Sequence, residues 1–281
     1  MSSTPRIGFQ GEPGAYSHLA CKEAHPEMEA VAFESFEEVF EAVANGDVAL
    51  AMIPIENSLG GRVADIHHLL PDSKLFIVGE HFQPVQHCLL GVPGATLEGL
   101  ERVESHPQAL AQTREMLREL GLEPVQVADT AGAARDIAER NDPRVGAIAS
   151  SLAGEIYGLD TLRTRIEDRL GNTTRFVIMS RRRVEPDLHE GPVITSFVFQ
   201  VRSVPAALYK ALGGFATTGV NITKLESYII DASFTVAQFY AEIDGHPSDK
   251  DVAHAFDELQ FFSSRLTVLG TYPQHDFRRS S

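Results

Sequence analysis

Residues 6–17 read Arg6-Ile-Gly-Phe-Gln-Gly-Glu-Pro-Gly-Ala-Tyr-Ser17, an apolar strand, a turn of glycine and proline, and the start of a helix. The same form returns at 54–61 (PIENSLGG), 105–109 (SHPQA) and 129–133 (DTAGA). Between residue 6 and about 180, apolar runs at 7–9, 29–32, 48–53 and 125–127 precede helical patterns at 15–24, 35–45, 59–70 and 130–140. That alternation builds an α/β domain. It continues through the apolar run 145–149 and a strand at 175–180, and stops at SRRRVEPDLHEGP, charged and carrying two prolines and a glycine. This composition predicts a first domain over 1–181 and a linker over 182–192.

Beyond the linker the pattern predicts strand 193–202, helix 205–218 closed by Gly219, strands 221–231 and 233–243, helix 248–260 and strand 265–272. Strand, helix, strand, strand, helix, strand is the ferredoxin-like order, here over 193–275 with a tail at 276–281. Such a module leaves a sheet edge or face open, and a second copy of the chain is a natural cover for it.

With 39 acidic against 24 basic residues and a net charge of -15, the chain has no basic stripe for a nucleic acid or an anionic membrane. The N-terminus has no signal-like apolar segment, and no run reaches the roughly 18 apolar residues of a membrane span. Cys21 and Cys88 are far apart and fit reduced, buried thiols. These features predict a soluble cytoplasmic protein.

A locally positive pocket for a small anion stays open. Helix starts present free N–H groups and the positive dipole end, and in open α/β sheets the crevice lies beyond the carboxyl ends of the strands. In Gly171-Asn-Thr-Thr-Arg-Phe176, Arg175 offers a full charge, and Thr173 and Thr174 offer directional donors. Every helix needs caps, however, so each site has a structural reading beside the functional one. Ser105 with Gln108 forms a capping-box pattern, and Asp129 or Thr130 is a good N-cap. Glu56, at a strand end, is a candidate acid if burial raises its pKa, and equally a salt-bridge partner.

Rival motifs are weaker. Gly8-x-x-Gly11-x-x-Gly14 imitates a dinucleotide fingerprint with the wrong spacing, and Pro13 sits where an amide is wanted. The histidines His67, His68, His81, His87 and His106 lack metal-ligand spacing, which predicts no metal. Ser17 and Ser58 sit in no nucleophile elbow.

GFQGEPGAYS, IPIENSLGGRV, SHPQALAQ, DTAGAA and NTTRF, in this order, resemble the prephenate dehydratase family over about 6–275, with the module after the linker similar to its regulatory ACT domain. With no helical chorismate mutase segment before the first motif, the chain resembles the monofunctional form. The resemblance implies a two-lobed catalytic domain like a type II periplasmic-binding fold, followed by the ferredoxin-like ACT domain. It implies conversion of prephenate to phenylpyruvate, water and carbon dioxide without a cofactor. Arogenate dehydratase and a non-catalytic ligand sensor are the alternatives.

By the same resemblance Thr174 is tied to the departing ring hydroxyl, with Arg175 on a carboxylate, Glu56 or water as a proton relay, and Phe176 packing the strand or wall. Asn57, Ser58, Ser105, His106, Thr130 and Thr173 fall near the substrate. Effector contacts for phenylalanine fall on Ala206, Ala207, Leu208, Asn221, Leu225, Glu226 and Ser227. Ala206 stands where phenylalanine-binding members have glycine, and Tyr228-Ile229 stand for their Arg-Pro. The module then either senses phenylalanine or only joins copies into a homodimer or homotetramer.

Overall fold

A computed structural model describes residues 4–187, 191–202, 204–230 and 237–279. Parts of the expected segments lie outside the described residues: 1–3 of the first domain, 188–190 of the linker, 231 and 233–236 of two strands, and 280–281 of the tail.

In chain order the elements are β1 (Arg6–Gln10), α1 (Tyr16–Ala24), β2 (Glu29–Phe33), α2 (Phe36–Asn45), β3 (Leu50–Asn57), β4 (Gly61–Arg62), α3 (Ala64–Leu69), β5 (Phe76–Pro84), β6 (Cys88–Gly91) and β7 (Arg102–Ser105). Then follow α4 (Pro107–Ala111), α5 (Arg114–Leu120), β8 (Glu123–Gln126), α6 (Thr130–Arg140), β9 (Val145–Ala149), α7 (Ser151–Tyr157), β10 (Asp160–Thr164) and β11 (Thr173–Ser180). The last part carries β12 (Val193–Val201), α8 (Ala207–Thr218), β13 (Ile222–Ile229), β14 (Ala237–Asp244), α9 (Lys250–Phe262) and β15 (Ser263–Pro273). The fold is mixed α/β.

Two compact units share this chain. The first comprises Met1–Val39, Glu56–Arg62 and Phe82–Arg175; the second comprises Phe40–Ile55, Val63–His81 and Phe176–Ser281.

In the first unit β1 pairs in parallel with β2, and a five-stranded sheet runs in the order β10-β6-β9-β7-β8. At its centre β9, the run VGAIA, is buried at every position, as a strand covered on both faces requires. Ala131, Ala133, Ala134 and Ile137 of α6 pack against it, small side chains that let the helix lie close. Gly14 is needed for a similar approach: its φ is +92°, and a Cβ there would stand 2.7 Å from the Ala153 Cα. Ser150 Oγ–H donates to the Gly14 carbonyl. The glycine of the pseudo-fingerprint therefore serves packing of the turn on α7.

In the second unit the antiparallel sheet runs β13-β14-β12-β15. Phe197, Phe199, Phe239 and Ala241 face Ala211 and Phe215 of α8 and Val252, Ala255 and Leu259 of α9, which forms the core of this part. Each buried phenylalanine contributes roughly 1.5–3 kcal/mol. The helices start two residues later than the sequence pattern places them. Gly270 lies against Ile77, where a Cβ would stand 2.0 Å from the Ile77 carbonyl oxygen. Arg278 spans Glu80 (2.7 Å) and Glu242 (3.0 Å), two buried carboxylates.

Candidate active site

The first unit brings the ends of β3 and β11 together. Ser58 N–H donates to the Thr173 carbonyl (2.9 Å) and Thr173 N–H to Ser58 Oγ (3.0 Å). Ser58 Oγ–H donates to the Gly171 carbonyl (3.1 Å). Ser58 thus clamps the two segments.

Its neighbour Asn57 sets the direction of a longer chain of hydrogen bonds. Asn57 Oδ1 accepts from the N–H groups of Leu59 (3.0 Å) and Gly60 (2.7 Å), an Asx-turn that fixes which way the amide faces. Its Nδ2 then donates to Asn172 Oδ1 (2.7 Å) and Thr174 Oγ1 (3.0 Å). Asn172 Nδ2 in turn donates to Gln112 Oε1 (3.0 Å). Facing that same oxygen at 3.0 Å, His87 Nε2 must carry a hydrogen. Burial pushes the His87 pKa down from 6.5, although the Gln112 bond and the Glu167 charge oppose it, so the ring is neutral at pH 7 and Nδ1 is bare. Tyr16 Oη lies 2.9 Å from that Nδ1 and 2.9 Å from the Gln86 carbonyl, so its single hydrogen is shared between two acceptors. The phenol keeps its proton, because burial, then Cys88 and Glu167, raise its pKa well above 10.0.

Thr174 inherits the consequence. Its oxygen accepts from Asn57, and its own hydrogen is available to a pocket of about 140 Å³ that it lines together with Tyr16, His87, His106, Gln112 and Thr130. That hydroxyl suits a ligand that accepts hydrogen bonds, while both His87 nitrogens are engaged by Gln112 and Tyr16.

The structure gathers Asn57, His106, Thr130 and Thr174 on this pocket. It places the other expected residues differently. Arg175 is buried, with Nη1 3.0 Å from Glu56 Oε1 and its guanidinium 5.9 Å from the Phe82 ring centre. Ser105 is buried and donates to the Ile148 carbonyl (2.6 Å). The cap of α4 is His106, whose Nδ1 accepts from Gln108 N–H (3.2 Å), so the Ser105 capping box is not formed. Asp129, rather than Thr130, caps α6 through Gly132 N–H (2.6 Å). Thr173 Oγ1 lies 3.5 Å from the Gly171 carbonyl, and Phe176 is buried in the second unit. Tyr16, His87, Gln112 and Asn172 were not singled out as site residues, although all but His87 sit inside the quoted motifs.

Among the effector candidates, Ala206 precedes α8 at φ 59°, a left-handed conformation that favours glycine. Ala207 is buried and Leu208 packs on the sheet core. Asn221 Nδ2 donates to Asp244 Oδ2 (2.7 Å), Leu225 is exposed, and Ser227 pairs with Phe239 across the ladder. Glu226 lies 2.8 Å from Lys224 Nζ and 3.6 Å from His67 Nε2.

Residues 7–184 match the family model described as prephenate dehydratase. The chain belongs to the prephenate dehydratase family. It is therefore an enzyme of the lyase-type dehydratases. It is 50% identical over 279 residues, 99% of each chain, to a protein of Komagataeibacter europaeus named bifunctional N-acyl-homoserine lactone acylase/prephenate dehydratase. It is 41% identical to arogenate dehydratase/prephenate dehydratase 1, chloroplastic, of Arabidopsis thaliana, covering 96% of this chain and 72% of that one. Its structure is similar, at TM-score 0.87 and 29% identity over 96% of this chain and 90% of the other, to prephenate dehydratase from Arthrobacter aurescens in complex with L-Phe. Among the described residues no helix is long and apolar enough to cross a membrane.

Proposed function

We propose that this chain converts prephenate to phenylpyruvate, water and carbon dioxide, a step toward phenylalanine. One observation carries the reading: Asn57 occupies the Thr174 oxygen and leaves the Thr174 hydrogen for the pocket. A donor aimed at the departing ring hydroxyl stabilises the charge that develops there, while aromatisation drives loss of carbon dioxide without an electron-sink cofactor. A threonine is a weak acid, so it acts by hydrogen bonding, and the proton that turns the departing hydroxide into water comes from solvent. Arg175 and Glu56 act as a unit: the guanidinium receives a substrate carboxylate, and Glu56 steadies it.

The proposal extends to the rest of the chain. Residues 1–181 form a two-lobed catalytic domain of the type II periplasmic-binding kind, 182–192 a linker, and 193–275 an ACT domain that joins two or four copies. Phenylalanine is its effector, supported by the ligand of the Arthrobacter aurescens protein. Its contacts run from Ala206 to Leu208 and from Asn221 through Leu225 to Ser227. The enzyme works in the cytoplasm.

A second reading, acylase activity toward an N-acyl-homoserine lactone, is favoured by the name of the 50% identical relative. Three product assays against no-enzyme controls near neutral pH separate these readings: phenylpyruvate from prephenate, repeated with added phenylalanine; phenylalanine from arogenate; and free homoserine lactone from an N-acyl-homoserine lactone. Turnover of prephenate above the control is expected, and phenylalanine lowers it. Turnover of arogenate alone moves the assignment to that substrate, and no turnover of any leaves a ligand sensor.

A further inference from the structure

Next to the Thr174 pocket the first unit has a second one, of about 560 Å³, lined by Arg114, Arg118 and Arg169. Gln108 and Gln112 line both pockets, and Gln112 is the amide that holds Asn172 and His87. The smaller pocket is below the usual range of roughly 300–1,000 Å³ for a small-molecule site, and the larger is within it. A substrate with its reacting hydroxyl at Thr174 would extend past the two glutamines.

The arginines are arranged at a cost to the fold. Arg114 and Arg118 stand four residues apart on α5, so they share a face and repel. Arg114 also opens that helix, where the dipole disfavours a cation. Among the described residues no carboxylate lies within 4.0 Å of the three guanidinium groups. Glu115 and Asp168 border the same pocket, but Asp168 Oδ1 is engaged by Glu115 N–H (3.0 Å) at the start of α5. The three arginines are exposed, so the hollow is open to an anion from solvent, and in a chain with 39 acidic and 24 basic residues they gather positive charge at one place.

We propose that this pocket is an anion-binding subsite whose Arg114 and Arg118 take a carboxylate of the substrate. The inference rests on the prephenate reading and deepens it, because a dianion has a carboxylate to spare for a site apart from Arg175. Glutamine keeps the helix propensity and removes the charge, so Arg114→Gln/Arg118→Gln tests it in the full chain.

The expected result is a KM for prephenate raised about tenfold with kcat within twofold of the parent. The parent KM should climb with added salt, and the double variant should lose most of that dependence. Its thermal unfolding midpoint should not fall, since a repulsive pair is removed. An unchanged KM with unchanged salt response in an active enzyme overturns the subsite and leaves the prephenate reading standing. If the parent does not turn prephenate over, that reading falls. Calorimetric titration with prephenate then decides the subsite: binding weakened in the double variant upholds it, and equal or absent binding overturns it.

Discussion

Two buried polar clusters, one in each unit, are built in opposite ways. In the first, Asn57, Asn172, Gln112, His87 and Tyr16 form a chain of neutral groups, and the Asx-turn at Leu59 and Gly60 dictates the direction of each proton from Asn57 to His87 Nε2. In the second, Glu80, Arg278 and Glu242 join charges at 2.7 and 3.0 Å with the carboxylates almost wholly buried. A neutral chain has little attraction to lose but a definite orientation, which suits a donor that must point one way. A charged cluster has strong attraction and little directional memory, which suits attachment of the C-terminal turn to a sheet. The difference teaches where a substitution should read out as rate and where as stability.

The largest effect should come from breaking the charged cluster. Arg278→Ala removes the cation shared by two buried carboxylates, which keep hydrogen bonds from His275 N–H and Tyr240 Oη–H, and denaturant unfolding of the full chain should show a loss of about 3–5 kcal/mol. A loss below 1 kcal/mol would remove the contrast, because the cluster would then behave like a surface pair.

Thr174→Ala is expected to lower kcat by about 10²–10³, the range for removal of one preorganised donor, with the unfolding midpoint unchanged. Thr174→Ser should keep part of the rate. Full activity in the alanine variant would sink the proposed role of the hydroxyl.

A pH titration sharpens the same contrast. Because the folded His87 pKa is depressed below 6.5, the unfolded state binds more protons between the two values. Stability contributed by this group should therefore be complete above 6.5 and decline as pH falls toward the folded pKa, by up to about 1.4 kcal/mol per pH unit. His87→Gln should remove that portion of the slope, seen as the difference between the two proteins' unfolding curves.

Ala206→Gly should give the smallest change. The left-handed φ of 59° costs an L-residue about 1 kcal/mol, so glycine should stabilise the second unit by up to that amount, less its greater chain entropy. A destabilised variant would show that Ala206 packs better than its backbone suggests.

Much of the fold could be read from apolar runs and their period: β12 and β14 are buried on both faces, while β13 alternates. The runs VITSFVFQV and AQFYAEID carry the phenylalanines that meet α8 and α9. The site was legible in part. Helix-start motifs led to Asn57, His106 and Thr130, and the family resemblance of NTTRF led to Thr174, all on the pocket. Tyr16, His87 and Gln112 were missed because their meaning lies in partners 71, 25 and 60 residues away in the chain, and no local pattern marks such pairs. The same limit explains Ser105, whose local pattern says cap and whose hydroxyl is taken by Ile148, 43 residues on.

Asn57 and Thr174 are 117 residues apart, and the Asn172 partner is 115. During synthesis at about 5–20 residues per second, Asn57 leaves the ribosome roughly 6–23 s before the strand that completes its amide network exists. In that interval the first unit is without β11, and a nascent chain stalled before residue 172 would carry every upstream motif and no assembled site. Assembly of the donor is thus a late event in the birth of the molecule, timed by the arrival of a single strand.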